Sequence, residues 1–235
     1  GFVTIPSVDM NAPSAMPLGF VRLPVSAGYL VFSVQKVGAA FRVVGNRFSE
    51  NGVLDTSWGT GGASTYGLPI PIGWDGALGD AQVRVAANVE DSAEVVYLAL
   101  LRKEAMGATH LTVARLGADG ALLSFGDSTL PNFSDVPGAI TAIAPARAGQ
   151  LASGNPGVLL AIQGGTDKDK AALVQVSTPP SGVAITISSC ETRDSCITRP
   201  GLRINQLGAA RGDGLFDLVG SERGKAMRMT YDAGG

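Results

Sequence analysis

The chain is poor in charged and aromatic residues and has a single histidine, His110. Only 16% of its 235 residues are charged and 6% are aromatic. Its formal net charge of −2 gives no electrostatic reason to expect a nucleic-acid partner, because nucleic-acid-binding proteins present a basic surface. A Ser-His-Asp triad would have to use His110, and the G-x-S-x-G sequence that often carries the serine is absent. The composition therefore points away from nucleic-acid binding and from this kind of hydrolase.

Long hydrophobic runs and cysteines are also scarce. The longest apolar run, VVYLALL at residues 95–101, has the length of a strand and is much shorter than the roughly 18 residues that cross a membrane. Cys190 and Cys196 are the two cysteines, too few for a structural zinc site. Their polar spacer predicts a local disulfide that closes a hairpin loop, and hence an oxidising compartment. Two free thiols are the alternative.

Glycine, proline and apolar residues are abundant by contrast. The chain contains 32 glycines and 13 prolines, and 45% of its residues are hydrophobic. Turns must therefore be frequent, and a sizeable core can be buried. Short apolar runs between Gly, Pro, Asn and Asp are typical of strands, so we expect an all-β protein.

A short pattern recurs along the chain. RFSENGVLDTSWG at residues 47–59 aligns with ARLGADGALLSFG at residues 114–126. The aligned pairs that mark the repeat are Arg47 with Arg115, Gly52 with Gly120, and Trp58 with Phe125. Two weaker copies place Gln175 and Arg228 at the arginine position. The N-G and D-G pairs predict hairpin turns, because glycine accepts a positive φ.

Four repeats of about 60 residues predict a β-propeller of four blades. Each unit holds three or four strands and cannot bury its apolar faces alone, so neighbouring units must stack. We expect a single domain over residues 1–235, with blades at about 18–67, 80–130, 138–190 and 200–235. A strand at residues 2–6 would complete the fourth blade and close the ring. A disordered N-terminal tail is the alternative.

Residues 47–62, RFSENGVLDTSWGTGG, resemble the bacterial delta-60 repeat. Residues 114–127, ARLGADGALLSFGD, resemble it in part, because Leu123 stands where the family has aspartate. The resemblance implies a propeller-like β-fold in a secreted or surface-exposed bacterial protein, and it brings no assigned chemistry.

Aromatic residues and acids near the connection between the first two blades are the candidate binding residues. Trp74 and Tyr66, if exposed, could stack on a sugar or a peptide, whereas Trp58 is expected to be a core wedge between blades. Asp75 and Asp80 offer oxygen ligands for calcium. Other acidic loops contain Asp167, Asp169, Asp213 and Asp217, and none has the ligand spacing of an EF-hand.

The sequence thus predicts a non-catalytic binding or scaffold module without a cofactor. We expect it to be extracellular, periplasmic or on a bacterial cell surface, and to recognise a protein or a glycan through its loops. One alternative is a hydrolase or metal-dependent enzyme whose acidic residues converge at the channel. Another is a segment of a structural repeat array.

Overall fold

The computed structural model describes residues 16–37, 40–68, 81–103, 109–130, 139–164, 170–179, 185–189, 201–208 and 211–233. Within these ranges the chain forms fifteen β-strands. No helix in the described ranges is long and apolar enough to cross a membrane. The prediction of an all-β chain is confirmed.

The strands form four antiparallel sheets, and within each sheet the strands pair in chain order. Sheet 1 contains β1 (Met16–Arg22), β2 (Tyr29–Val37), β3 (Ala40–Phe48) and β4 (Ala63–Tyr66). Sheet 2 contains β5 (Ala81–Glu90), β6 (Ala93–Lys103), β7 (Thr109–Gly117) and β8 (Leu122–Thr129). Sheet 3 contains β9 (Ala139–Ala146), β10 (Gly157–Gly164), β11 (Lys170–Ser177) and β12 (Thr186–Ser189). Sheet 4 contains β13 (Leu202–Leu207), β14 (Leu215–Glu222) and β15 (Lys225–Asp232).

Strand β6 shows why these sheets stack. Its odd-numbered side chains, from Val95 to Leu101, belong to a core shared with sheet 3. Its even-numbered side chains, from Val96 to Leu100, belong to a core shared with sheet 1. Because successive side chains of a strand point to opposite faces, a continuous apolar run needs a neighbouring sheet on both sides. A third core, which includes Phe216, joins sheets 3 and 4.

The first strands of the four sheets lie side by side. β1 contacts β5, β5 contacts β9, and β9 contacts β13. Small antiparallel sheets stacked in this succession form a propeller-like arrangement. Among the described residues no comparable contact joins β13 back to β1, so the closed ring that we expected is not seen there. The strand predicted at residues 2–6 lies outside the described residues.

The two glycines of the repeated pattern lie in tight turns. Gly52 has a φ of +77° and donates its N–H to the carbonyl of Ser49. Gly120 has a φ of +84° and donates its N–H to the carbonyl of Gly117. In the second turn the carboxylate of Asp119 also accepts a bond from the backbone two residues later. Both turns need glycine because other residues rarely adopt this part of φ space.

Trp58 lies between sheets 1 and 2, as expected of a wedge. It is buried, and its indole Nε1 donates to the carbonyl of Ala118 at 3.0 Å. Its ring also packs against Gly120, where a Cβ would lie 2.5 Å from Cζ2 of the indole. The repeat equivalence with Phe125 does not extend to burial, because Phe125 is 45% exposed on the outermost strand of sheet 2.

Substitution of Gly120 tests the contact with Trp58. We expect Gly120→Ala to destabilise the protein more than Gly149→Ala, which is a matched control. Both glycines have a φ slightly above +80°, so both substitutions incur about 1–2 kcal/mol of left-handed strain. Only at Gly120 does the new Cβ also collide with an indole, since nothing lies within 4 Å of it at Gly149. Urea unfolding should show an excess loss of roughly 1–3 kcal/mol for Gly120→Ala. Equal losses would contradict the packing of Trp58 on this turn.

Candidate functional site

A β-bulge in β8 places two apolar side chains on the same face of sheet 2. Leu122 pairs with Leu116, and Phe125 pairs with Ala114. Two residues of β8 thus lie between pairs that are separated by a single residue on β7, which is the bulge. Leu116 and Ala114 belong to the core shared with sheet 1, and their partners therefore face sheet 1 too. Leu122 is 39% exposed and Phe125 is 45% exposed. Sheet 1 thus leaves part of this face uncovered.

A groove of about 470 Å³ lies beside Leu122, between β4 and the turn that precedes β8. Its volume is within the range of about 300–1,000 Å³ that is typical of ligand sites. The lining residues are Gly59, Thr60, Ala63, Ser64, Thr65, Tyr66, Gly67, Gly120 and Leu122. None of these is charged, and four carry hydroxyl groups. We call this space the outer groove; Phe125 lies farther along the same face of β8 and is not one of the lining residues.

Tyr66 is a structural support of the outer groove and not an exposed stacking platform. Its side chain is only 3% exposed, and its hydroxyl donates to the carbonyl of Gly120 at 3.1 Å. Burial raises the pKa of the Tyr66 hydroxyl well above its ordinary value, so it remains protonated at neutral pH. Exposure is the condition for Tyr66 to act as a stacking residue, and that condition is not met, because the turn at Gly120 covers the ring.

The outer edge of β4 offers free backbone groups at Thr65. Ala63 exchanges both of its backbone hydrogen bonds with Thr60, at 2.8 and 3.3 Å, so its N–H and C=O point away from β3. In an antiparallel strand this direction alternates, and the backbone groups of Thr65 therefore also point away from β3. Ser64 and Tyr66, which pair with Gly45 and Val43, point towards β3. Within the described residues no hydrogen bond to the outward N–H or C=O of Thr65 is found.

The next sheet junction lacks such an opening. There β8 contacts β12 directly, and a Cβ on Gly126 would lie 2.6 Å from the carbonyl oxygen of Ile185. The outer strands of sheets 2 and 3 are thus in close contact, whereas those of sheets 1 and 2 are separated by the outer groove. The groove is a local feature of the first junction.

An ionic cluster occupies the same face of sheet 2, farther along β8. Asp127 accepts hydrogen bonds from Arg102 at 2.9 Å and from the hydroxyl of Thr112, and it lies 3.1 Å from Nδ1 of His110. Burial alone would raise the pKa of Asp127, but the bonds from Thr112 and His110 and the charge of Arg102 outweigh it and lower the pKa. The cluster ties β6, β7 and β8 together, and it gives the only histidine a structural partner.

A second polar network joins sheet 2 to sheet 3. The carboxylate of Glu90 is buried and accepts two bonds from Arg115, at 2.7 and 3.0 Å, and one from the hydroxyl of Tyr97. The Tyr97 hydroxyl lies 3.1 Å from that of Thr178, beyond the end of β11. Burial and the neighbouring charge of Glu90 raise the pKa of Tyr97 well above its ordinary value. This network explains the arginine of the second repeat as a counter-ion in an interface.

Most of the other residues proposed from the sequence fall outside the part of the chain that the structure describes. Trp74, Asp75 and Asp80 lie outside the described residues, as do Asp167 and Asp169. The same holds for Cys190 and Cys196, so their disulfide stays a prediction.

Two acidic residues of the predicted calcium loops can be placed. Asp213 caps a turn by accepting from the N–H of Leu215, and Asp217 pairs with Arg228 at 3.1 Å. No group of three His, Cys, Asp or Glu suited to a metal ion occurs in the part of the chain that the structure describes. Calcium binding therefore also stays a prediction.

Comparisons with known proteins give structural matches of low similarity. No protein-family model matches the chain, and no curated protein matches it. Drosophila Plexin A, solved in complex with Semaphorin 1b, matches 92% of this chain with 55% of its own, at 11% identity and a TM-score of 0.47. The polysaccharide lyase Uly1 matches 93% of this chain with 47% of its own, at 12% identity and a TM-score of 0.42. The chain thus spans about half the length of the solved chains that it matches.

The lowered pKa of Asp127 predicts a dependence of stability on pH. A carboxyl with a lower pKa in the folded protein than in the unfolded chain stabilises the fold above its unfolded pKa, near 3.8. That contribution is lost as the pH falls through the folded pKa. Between about pH 5 and pH 2, the free energy of unfolding should therefore fall more steeply in the wild type than in Asp127→Asn.

At neutral pH, Asp127→Asn should also be less stable than the wild type, because the nearly buried Arg102 loses its counter-ion. Urea unfolding at a series of pH values measures both effects. Parallel curves for the two proteins would contradict the structural role of the cluster.

Proposed function

We propose that the chain is a non-catalytic binding module of a secreted or surface-exposed bacterial protein, and that its ligand binds in the outer groove. The observation that carries this proposal is the incomplete cover over β8. Leu122 lines the groove, and Phe125 lies on the same face of β8; both face sheet 1 and are exposed, at 39% and 45%. Apolar side chains that line an open groove are typical of a contact surface for a partner.

The lining of the groove restricts the chemistry of the ligand. The lining around the apolar Leu122 consists of hydroxyl-bearing residues, glycines and Ala63, and Ser64 directs its hydroxyl towards the turn at Gly120. Thr65 contributes its backbone, because its side chain points to the opposite face of β4. No lining residue carries a charge that would pair with a phosphate or a carboxylate. A neutral ligand with hydrogen-bonding groups and some apolar surface fits best, which is the chemistry of a protein segment or a neutral glycan.

The groove is held in shape by buried contacts beneath it. Tyr66 and Trp58, both 3% exposed, each donate a hydrogen bond to the turn at residues 118–120. These two bonds join sheet 1 to sheet 2 at the floor of the groove. A binding site that is ordered before its ligand arrives avoids part of the entropic cost of association. The two aromatic residues therefore support binding without touching the ligand through an exposed ring.

Binding in the outer groove can be tested with two probe sets, a panel of neutral oligosaccharides and a displayed library of random decapeptides. We expect binders from at least one set. Backbone NMR spectra recorded with them should show shifts at Ser64, Thr65 and Gly120. The double variant Leu122→Ser with Phe125→Ser should weaken binding roughly tenfold or more, about 1.4 kcal/mol, because it removes apolar contact area.

Val53→Ser is the matched control, since Val53 is 66% exposed and lies outside the groove lining. It should bind as the wild type does. Shifts that map elsewhere on the protein, or binding that the double variant leaves unchanged, would rule out the outer groove as the site.

A segment of a structural array is the second candidate function, and one observation favours it. In sheets 1, 2 and 3 the residue paired with the arginine position of the repeat is fully buried against the next sheet. These residues are Leu30, Tyr97 and Leu159. In sheet 4 the equivalent residue is Val219, opposite Arg228, and it is 44% exposed. This face of sheet 4 lies where a further sheet would pack.

Association through sheet 4 would depend on Val219. If the array function holds, sedimentation velocity should show an apparent mass that rises with protein concentration. Val219→Asp should abolish that rise, because a carboxylate would be buried in an apolar contact. Val53→Asp, at a more exposed position far from sheet 4 in the chain, should leave the rise unchanged. A mass that is independent of concentration in the wild type would exclude this candidate.

A further inference from the structure

We propose that the ligand of the outer groove is an extended polypeptide segment of another protein, which adds to β4 as a fifth strand of sheet 1. This inference rests on the proposed function of the groove and names the class of its ligand. The juxtaposition that carries it is a strand edge at Thr65 that no described residue pairs with, in a groove that Leu122 also lines. Phe125 is exposed on the same face of β8 as Leu122.

The backbone of β4 is ready to pair on its outer side. The N–H and C=O of Thr65 point away from β3, and Thr65 lies in the groove lining. One residue of the chain already uses this edge, because Thr60 exchanges two hydrogen bonds with Ala63 in an antiparallel bridge. Gly59 lies against Ala63 and Ser64 on the same edge, where a Cβ on Gly59 would be 2.5 Å from Oγ of Ser64, so an added strand would begin at Thr65. Pairing of this kind supplies affinity through main-chain hydrogen bonds.

The spacing of the apolar pair matches the side-chain period of a strand. The bulge in β8 leaves Leu122 and Phe125 opposite Leu116 and Ala114, which are two residues apart on β7. The two exposed side chains are therefore about 7 Å apart along the strand direction, the distance between residues i and i+2 of an extended chain. A strand added to sheet 1 would direct alternate side chains at sheet 2. Two apolar residues at i and i+2 could then cover Leu122 and Phe125.

The groove suits a peptide better than a sugar. Protein sites for neutral sugars commonly present the flat face of an aromatic ring. The ring of Tyr66 is buried with its hydroxyl bonded to Gly120, and the exposed Phe125 is not one of the residues that line the groove. Backbone amides, in contrast, match the edge of β4, and aliphatic side chains match Leu122. The absence of charge from the groove lining favours a peptide whose inward-facing residues are uncharged.

Selection from a displayed library of random decapeptides tests the inference, with two variants at one position. Thr65→Pro removes the outward N–H without removing a ladder bond to β3, so it should reduce peptide binding at least tenfold. Thr65→Val keeps the N–H and changes only a side chain that points away from sheet 2, so it should bind at least tenfold more tightly than Thr65→Pro. The selected peptides should carry apolar residues at i and i+2. Thermal unfolding of both variants establishes that each is folded.

A second measurement on the wild type keeps the test independent of the proline variant. Hydrogen exchange at the amide of Thr65 should slow at least tenfold when a selected peptide binds, because that N–H then donates to the peptide. Unchanged exchange at Thr65 in the complex would overturn the strand inference. Peptide binding that is equal in folded Thr65→Pro and wild type would overturn it as well.

Failure of the strand inference can be separated from failure of the proposal that the ligand binds in the outer groove. Binding of neutral oligosaccharides alone, weakened by the double substitution of Leu122 and Phe125, would overturn strand addition and leave the proposed function standing. Peptide or sugar binding with the same affinity in the wild type and in that double variant would overturn both the strand inference and the proposed function. A library that yields no peptide for the wild type would reject the polypeptide ligand.

Discussion

The inner sheets of this chain are apolar on both faces, and the arrangement of the whole structure depends on that constraint. A strand such as β6 contributes to two separate cores at once. Each fully buried aliphatic side chain contributes roughly 1.5–3 kcal/mol, so leaving either face in water would cost more than a domain's net stability. Stacking of one sheet on the next removes both faces from water. Hydrogen bonds such as those of Trp58, Tyr97 and Gln175 then cross the successive interfaces.

The outer groove exists because stacking is incomplete at one junction. β12, which has four residues as β4 does, contacts β8 directly, whereas β4 makes no comparable contact with β8 among the described residues. Leu122 and Phe125, which face sheet 1, therefore remain exposed at that junction. The contacts of Trp58 and Tyr66 with the turn before β8 fix the two walls relative to each other. Rigid walls, a free strand edge and exposed apolar groups together make a site for an extended ligand.

Local patterns in the sequence predict the strands and the glycine turns because both depend on neighbouring residues. The burial of Trp58 agrees with the prediction, but the repeat does not explain it, because Phe125 at the equivalent position is 45% exposed. The exposure of Phe125 depends on how far sheet 1 covers β8, which no local pattern encodes. The burial of Tyr66 depends on a carbonyl 54 residues away, at Gly120. The groove could not be predicted either, since it is defined by the spacing between two sheets and not by any motif.

The central claim is that β4 presents an open edge in a groove between two stacked sheets. Native-state hydrogen exchange of individual β4 amides tests it most directly. In the free protein the amides of Ser64 and Tyr66 donate towards β3, whereas that of Thr65 points outward. The account predicts slow exchange at Ser64 and Tyr66 and much faster exchange at Thr65. Equal protection of all three amides would show that the edge is already occupied and would contradict the account.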